Sequence, residues 1–203
     1  GNTVIDSLKM CESKITDNHI KTVEDLVGFT LDENKFILVT GHRRENHGDG
    51  INSICDSLAE LSKKYENFKF VYPVHMHPNI KDVVYKKLYK YKNIHLLNPL
   101  PYEEFVILMK SCYLILTDSG GIQEEAPSMN KPVLLMREST ERPEGVESGS
   151  VKVLGSEKDA IVDSVSNLIE SKSCYNDMIN IKNPYGDGTS SNKIFNIINE
   201  HYG

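Results

Sequence analysis

Residues 114–132 read LILTDSGGIQEEAPSMNKP. An apolar run leads into Asp118, Ser119, Gly120 and Gly121, and a segment that can form a helix follows. This order is typical of a β-strand that turns sharply into a helix in an α/β protein. Glycines permit the tight turn, and the N–H groups at the start of a helix point toward an anion. The stretch therefore predicts a strand, a phosphate-binding turn and a helix.

Glu125 lies one turn into this predicted helix. A carboxylate there is placed to accept two hydrogen bonds from a ribose diol while phosphates rest on the turn. The alternative is an ordinary helix start, in which Ser119 caps the helix and the acidic residues only favour its first turn. Two adjacent glycines do not decide between these interpretations.

Apolar runs alternate with amphipathic segments on both sides of this unit. The pattern predicts the class α/β, with a Rossmann-like parallel sheet of six strands and helices on both faces. Strands are predicted at residues 36–40, 69–73, 93–97, 113–117, 132–136 and 151–154. Helices are predicted at residues 50–65, 79–89, 102–111, 121–129 and 157–171.

The two ends of the chain lie outside this alternation. Residues 1–30 predict two helices before the first strand, and residues 174–203 predict two more after the last. The loop NPYGDGTSS, residues 183–191, precedes a final helix at residues 189–202 with an apolar face. Since one sheet has limited room for four flanking helices, we expect both ends to border another domain. Without that domain, the final helix is expected to be displaced or mobile.

Composition excludes several classes of protein. A chain of 203 residues with 39% hydrophobic content can bury a core. Its net charge of −6 argues against a nucleic-acid partner. Its apolar runs fall short of the roughly 20 residues that cross a bilayer, so no membrane partner is expected. The start GNTVIDSLKM has no signal-peptide pattern, which favours the cytoplasm.

A second polar cluster follows the first predicted strand, in VTGHRRENHGDG, residues 39–50. It places His42, Arg43, Arg44 and Glu45 at the carboxyl end of a strand, where open α/β sheets bind ligands. Arginine offers a fork of donors to phosphate, and histidine can donate to phosphate or move a proton. The alternative is a solvated loop with an arginine–glutamate pair.

A third cluster, VYPVHMHPN at residues 71–79, has His75 and His77 on one face if the strand continues. No acidic residue or cysteine follows at metal-ligand spacing, so we predict no metal site. The alternatives for this stretch are a polar loop at the end of a strand and a binding site for an effector.

Two more loops carry candidate binding residues. The stretch LLMRESTERPEGVESGS, residues 134–150, has Arg142 just before Pro143, which can open a short helix. In PLPYEEFVILM, residues 99–109, Phe105 can stack on a base, although a core position is the more frequent use of such an aromatic. Charged loops are also common on any surface. What favours a site is that loops after different strands bring these groups to one edge of the sheet.

The quoted strings, taken together and in this order, resemble the motif series of bacterial non-hydrolysing UDP-GlcNAc 2-epimerases. The resemblance covers most of the chain and rests on VTGHRREN, YPVHMHPN, ILTDSGGIQEEAPSMNKPVLLMR and STERPEGVESG. It implies the C-terminal half of a GT-B fold, with the active site in a cleft between two domains. It divides the chain into a hinge and leading helices (1–30), a Rossmann-like UDP-binding domain (31–172) and a helical tail (173–203).

The resemblance also implies roles for individual residues. Ser119, Gly120 and Gly121 would hold the diphosphate and Glu125 the ribose hydroxyls. Phe105 would lie near the uracil, where Leu100 replaces a glutamine of some members, and Arg142 would contact the nucleotide. His42 would be the catalytic residue at the diphosphate and the reacting sugar. Arg43 and His75 would contact a second UDP-GlcNAc that acts as activator.

The implied reaction interconverts UDP-GlcNAc and UDP-ManNAc by eliminating UDP and adding it back, without a cofactor. Because the acids that move protons would come from the absent N-terminal domain, we expect this chain to bind UDP weakly and to be inactive alone. The intact enzyme would be a homodimer. Alternatives are a hydrolysing relative, a GT-B glycosyltransferase donor domain, and a non-catalytic module that binds UDP-sugars.

Overall fold

A computed structural model describes residues 1–32, 35–43, 46 and 48–202. Within these residues, six strands form one sheet in the spatial order β3-β2-β1-β4-β5-β6, and every neighbouring pair is parallel. This confirms the predicted class and strand count. The strands are β1 (Phe36–Thr40), β2 (Lys69–Pro73), β3 (Ile94–Leu97), β4 (Leu114–Thr117), β5 (Val133–Leu135) and β6 (Val151–Val153).

Helices precede, connect and follow the strands. Of the helices in the described ranges, none has the length and apolar content needed to span a bilayer. The helices are α1 (Thr3–Glu12), α2 (Asp17–Val27), α3 (Asp49–Lys64), α4 (Pro78–Leu88), α5 (Tyr102–Ser111), α6 (Gly120–Glu125), α7 (Pro143–Ser148), α8 (Lys158–Glu170), α9 (Lys172–Ile179) and α10 (Ser190–Tyr202).

The central strands are buried on both faces. All five residues of β1 are buried, with Ile37 and Val39 in one apolar cluster and Phe36 in the other. This alternation follows from the two-residue period of a strand. Helices α3, α4 and α8 contribute to the first cluster, and α1, α2 and α5 contribute to the second. The sheet therefore has helices on both faces, as predicted.

The strand order reverses between β1 and β4. From β1 the chain builds outward through β2 to β3, then returns to place β4 on the other side of β1. The loops that follow β1 and β4 consequently run in opposite directions and leave a crevice at the carboxyl edge. At this edge the Thr40 and Thr117 hydroxyl oxygens lie 2.6 Å apart and share a hydrogen bond.

One helix prediction is wrong in its extent. The helix predicted at residues 121–129 is α6, which ends at Glu125 and continues as a 3₁₀ turn over Ala126–Met129. Pro127 has no N–H to donate to the carbonyl of Gln123, so the α-helical ladder cannot continue through it. The short helix that Pro143 predicted is present as α7.

The leading helices pack onto the same sheet as the rest of the chain. Ile5 and Leu8 of α1 and Val23 of α2 are fully buried. Leu8 and Val23 belong to the cluster that contains β1 residue Phe36. The division at residues 30 and 172 remains a prediction.

The tail loop is fastened to the start of the chain. The carbonyl oxygen of Tyr185 accepts a hydrogen bond from the backbone N–H of Asn2 at 2.6 Å. Tyr185 is buried, and its hydroxyl accepts from the Gly145 N–H at 3.0 Å and donates to the Arg142 carbonyl at 3.3 Å. Asp6 of α1 accepts from the first N–H groups of α10. These contacts place the loop and the start of α10 against α1 and α7.

Helix α10 presents its apolar side chains to solvent. Ile194, Phe195, Ile197 and Ile198 are each about half exposed or more. The apolar face predicted from the sequence is thus present and uncovered, while the predicted mobility of the helix stays a prediction.

We expect Tyr185→Phe to lower the free energy of unfolding by about 1–3 kcal/mol, because it leaves the buried Gly145 N–H without an acceptor. Urea unfolding measures the loss. Tyr89→Phe is the matched control, since Tyr89 is 74% exposed. Equal stabilities of the two variants would contradict the fastening role of the Tyr185 hydroxyl.

Candidate nucleotide site at the carboxyl edge

A buried carboxylate joins the loops after β1 and β4. Asp118, at 0% exposure, accepts hydrogen bonds from the backbone N–H groups of His42 at 2.9 Å and Arg43 at 2.8 Å. The Asn46 side chain donates to it at 3.1 Å and also to the carbonyl of Met136 after β5. Burial opposes ionisation, but the hydrogen bonds from His42 and Arg43 outweigh it and lower the pKa of Asp118.

Asp118 also orients the imidazole of His42. Its Oδ1 lies 3.2 Å from His42 Nδ1, and the His42 side chain is 43% exposed. This contact favours a proton on Nδ1, so Nε2 accepts in the neutral ring and donates in the protonated one. The ring stacks on His75, with centroids 6.0 Å apart and planes inclined by 24°. His42 and His75 therefore lie side by side at the edge of the crevice.

Helix α6 begins with an uncapped turn. Ser119 has extended backbone angles, as an N-cap residue does, yet its side chain makes no capping hydrogen bond within the described part of the chain. The interpretation of Ser119 as an ordinary side-chain cap is therefore wrong. Instead, the Ser119 N–H donates to the hydroxyl of Thr117 at 3.0 Å, which fixes the turn.

The two glycines of this turn differ in their surroundings. A Cβ at Gly120 would lie 2.9 Å from Oε1 of Glu141 and 3.9 Å from Cζ of Arg142, so a side chain there would displace the end of the Glu141 side chain. Apart from its chain neighbours and the backbone of α6 itself, no described heavy atom lies within 4 Å of the Cβ position at Gly121. Gly120 thus permits close approach of charged groups, and Gly121 leaves the helix start open.

Three arginines surround one carboxylate above this turn. Arg137 donates to Glu141 at 2.7 Å, and Arg43 Nη2 and Arg142 Nη1 each lie 3.7 Å from Glu141 Oε1. The backbone N–H of Glu141 and the guanidinium of Arg137 lower the pKa of Glu141, so it stays ionised. The anion-binding groups at this turn hold an anion supplied by the chain itself.

Glu125 faces a different neighbour, on α5. Its Oε1 accepts a hydrogen bond from the Tyr102 hydroxyl at 2.8 Å. Burial raises the pKa of Glu125, opposed by the Tyr102 hydrogen bond. Phe105 lies three residues after Tyr102, hence on the same side of α5, and is partly buried against the apolar cluster beneath it. Sequence reasoning missed Tyr102, although its place at the start of a helix following β3 was the available signal.

Glu124 is a second residue that the sequence did not single out. It is 7% exposed and forms an ion pair with Nε of Arg142. Its other oxygen accepts from the Asn2 side chain at 2.6 Å. Arg142 is thereby held between α6 and the start of α7.

Some of the predicted residues meet and others do not. Arg43, Gly120 and Arg142 share the surroundings of Glu141, and His42 adjoins His75. Arg44 and Glu45 lie outside the described residues. Among those described, no group of three or more His, Cys, Asp or Glu side chains is arranged to hold a metal ion. The imidazole of His77 accepts from the Asn79 N–H and caps α4.

The chain matches the family described as UDP-N-acetylglucosamine 2-epimerase over residues 1–199. It belongs to the UDP-N-acetylglucosamine 2-epimerase family. A curated UDP-N-acetylglucosamine 2-epimerase from Neisseria meningitidis is 50% identical over 192 residues, which cover 94% of this chain and 52% of that protein. The chain spans about half the length of the curated relatives it matches, and corresponds to their C-terminal half.

Solved structures of epimerases share the fold. The Neisseria meningitidis enzyme bound to UDP-GlcNAc superposes with a TM-score of 0.93 at 47% identity, covering 98% of this chain and 54% of that one. A complex of MnaA from S. aureus with UDP gives a TM-score of 0.90 at 42% identity, covering 99% and 53%. The predicted family and the predicted half of a GT-B fold are thus confirmed for this member of the epimerase family.

We expect Asp118→Asn to lower the free energy of unfolding at neutral pH by about 2–4 kcal/mol, because an amide presents N–H groups to backbone N–H donors. The penalty should depend on pH. The unfolded chain binds a proton at Asp118 near the ordinary pKa of 3.8, whereas the folded chain binds it only at lower pH. The stability that Asp118 contributes is therefore complete above that value and lost as pH falls through the folded pKa.

Urea unfolding of both proteins between about pH 7 and pH 3 measures this difference. Other carboxylates titrate in both proteins and cancel in the comparison. A penalty that stayed constant down to the lowest pH would contradict an ionised Asp118.

Proposed function

We propose that this chain is the UDP-binding half of an enzyme that interconverts UDP-GlcNAc and UDP-ManNAc by eliminating UDP and adding it back. The observation that carries the proposal is the uncapped start of α6 at the β1–β4 crevice, with Arg142 above it and His42 beside it. A helix start supplies N–H donors and a favourable dipole of roughly 0.3–1 kcal/mol to an anion. Family membership supports UDP as that anion.

The contacts suggest how UDP would lie. Its diphosphate would rest on Ser119, Gly120 and Gly121, with Arg142 donating from above. The ribose hydroxyls would reach Glu125, whose carboxylate already accepts from a hydroxyl, that of Tyr102. The uracil would lie along α5 near Phe105. In this arrangement the nucleotide runs from the start of α6 toward α5, because Glu125 accepts a hydrogen bond from Tyr102 of α5.

The chemical work of this half would be to hold the leaving group. As the sugar–oxygen bond breaks, charge builds on the diphosphate, and fixed N–H, guanidinium and imidazole donors stabilise it where it develops. His42 is suited to this because the contact with Asp118 fixes its ring through Nδ1 and does not engage Nε2. UDP retained in this way is available for re-addition.

The proton transfers at the sugar would need other groups. Asp118, Glu124 and Glu141 are engaged in hydrogen bonds or ion pairs with this chain's own residues. We therefore place the acids that move protons in the remaining half of the protein. The homodimer, the cytoplasmic location and the non-hydrolysing reaction belong to this proposal.

Arg43 and His75 would contact a second UDP-GlcNAc acting as activator. Both adjoin groups proposed for the substrate, since His75 stacks on His42 and Arg43 reaches Glu141. An activator there would lie beside the reacting sugar.

Calorimetric titration of the 203-residue chain tests the nucleotide site. We expect UDP to bind more tightly than ADP, and Glu125→Ala to weaken UDP binding about ten- to a hundredfold, because it removes charged acceptors for the ribose. Glu66→Ala is the control, since Glu66 is exposed in the loop between α3 and β2. Equal affinities for UDP and ADP, or an unaltered affinity in Glu125→Ala, would argue against this orientation of the nucleotide.

We further expect no epimerase turnover by the purified chain, because the acids that move protons are placed elsewhere. Chromatographic separation of UDP-GlcNAc from UDP-ManNAc after long incubation measures this. Formation of UDP-ManNAc by the chain alone would contradict the division of labour between the halves.

A further inference from the structure

Two adjacent glutamates of α6 face different partners. Glu125 accepts from Tyr102 on α5, whereas Glu124 pairs with Arg142 in the loop before α7. Successive helical residues are separated by a rotation of about 100°, so neighbours in sequence serve different sides of the helix. The side chain of Glu124 contacts Arg142 and Asn2, and Asn2 also donates to the carbonyl of Tyr185.

The ion pair fixes how the Arg142 guanidinium lies. Glu124 occupies the Nε edge, and Arg142 Nη1 points toward Glu141 at 3.7 Å. Gly120 precedes Glu124 by one turn, and the Cζ of Arg142 is 3.9 Å from the Cβ position at Gly120. Because the five donors of a guanidinium form a rigid planar fork, an anchor at Nε sets the direction of the terminal nitrogens. They are thereby held above the start of α6.

Glu124 is itself held by the start of the chain. Asn2 donates from its side chain to Glu124 Oε2 at 2.6 Å and from its backbone to the carbonyl of Tyr185 at 2.6 Å. Tyr185 in turn donates to the carbonyl of Arg142. The side chain and the main chain of Arg142 are therefore tied to the same two segments, residues 1–2 and 183–185.

We propose that Glu124 is a positioning residue that orients Arg142 toward the phosphates of the nucleotide, with Asn2 fixing its second oxygen. The inference rests on the proposed role of Arg142 in UDP binding. A free arginine side chain samples many rotamers, and holding it in place beforehand removes that ordering cost from ligand binding. Glu124 touches no ligand in this scheme and acts through Arg142.

The first test is the Nε–H signal of Arg142 in ¹⁵N NMR of the 203-residue chain, assigned with Arg142→Lys. We expect a sharp, exchange-protected signal in the unaltered chain. Glu124→Ala should broaden or remove it, whereas Glu124→Gln should keep it because the amide oxygen still accepts. Glu147→Ala is the control, since it also removes one carboxylate but from an exposed site on α7. An unchanged signal in Glu124→Ala would overturn the proposal.

The second test is UDP affinity. Glu124→Ala should weaken UDP binding about tenfold, with largely restored binding in Glu124→Gln and no further loss when Arg142→Ala is already present. If Glu124→Ala weakens UDP binding as much in the Arg142→Ala background as in the unaltered chain, Glu124 does not act through Arg142. A merely structural role would lower stability without this dependence.

Asn2→Ala provides an independent variant should Glu124→Ala not fold. Asn2 is exposed, and its loss should partly broaden the Arg142 signal and weaken UDP binding about threefold. An unaltered signal and affinity would remove Asn2 from the proposal. If the unaltered chain fails to bind UDP, the proposed function fails, while the Arg142 signal still decides whether Glu124 holds the arginine.

Discussion

The carboxylate of Asp118 is the interaction on which the candidate site depends. It lies buried at the end of β4 and accepts hydrogen bonds from N–H donors in the loop after β1. These bonds join the loops on the two sides of the crevice. A buried charge is stable only when its hydrogen-bonding capacity is filled, and here the filling groups come almost wholly from the neighbouring loop. The orientation of His42 and the path of the chain at Arg43 follow from it.

The ends of the chain complete the other side of the site. Residues 1–2 and the loop around Tyr185 approach each other across the start of α7, and both contact the segment that carries Arg142. Although far apart in sequence, the two segments together contact α6 through Glu124 and α7 through Gly145. Position 145 has little room for a side chain, since a Cβ there would lie 2.9 Å from the Tyr185 hydroxyl and 2.8 Å from Cγ2 of Val151.

Much of the fold could be predicted because parallel strands buried on both faces leave a strong apolar signal, as FILVT at residues 36–40 does. The turn at residues 120–121 was predicted from its glycines, although the sequence did not decide between a phosphate-binding turn and an ordinary helix start. The broken helix after Glu125 was not foreseen, although Pro127 carried the signal. Pro127 lacks the N–H that an α-helix through residue 129 would need at that position.

Side-chain pairings were beyond sequence reasoning. Glu124 and Glu125 are chemically identical, and only the rotation of α6 decides which one meets Arg142 and which meets Tyr102. The second partner of Glu124 is Asn2, 122 residues away, and no local pattern encodes such a contact. The assigned roles of Phe105, Arg43 and His75 likewise depend on a ligand and remain proposals.

Glu141 affects the affinity that an anionic ligand would have at the start of α6. Its carboxylate already sits among Arg43, Arg137 and Arg142, so a phosphate that enters there exchanges with an anion tethered to the protein. In such an exchange the affinity for the phosphate would be reduced by the free energy of the ion pairs that Glu141 gives up. If UDP binds as proposed, Glu141 would return to Arg43 and Arg142 when the nucleotide leaves, while Arg142 keeps its ion pair with Glu124 throughout.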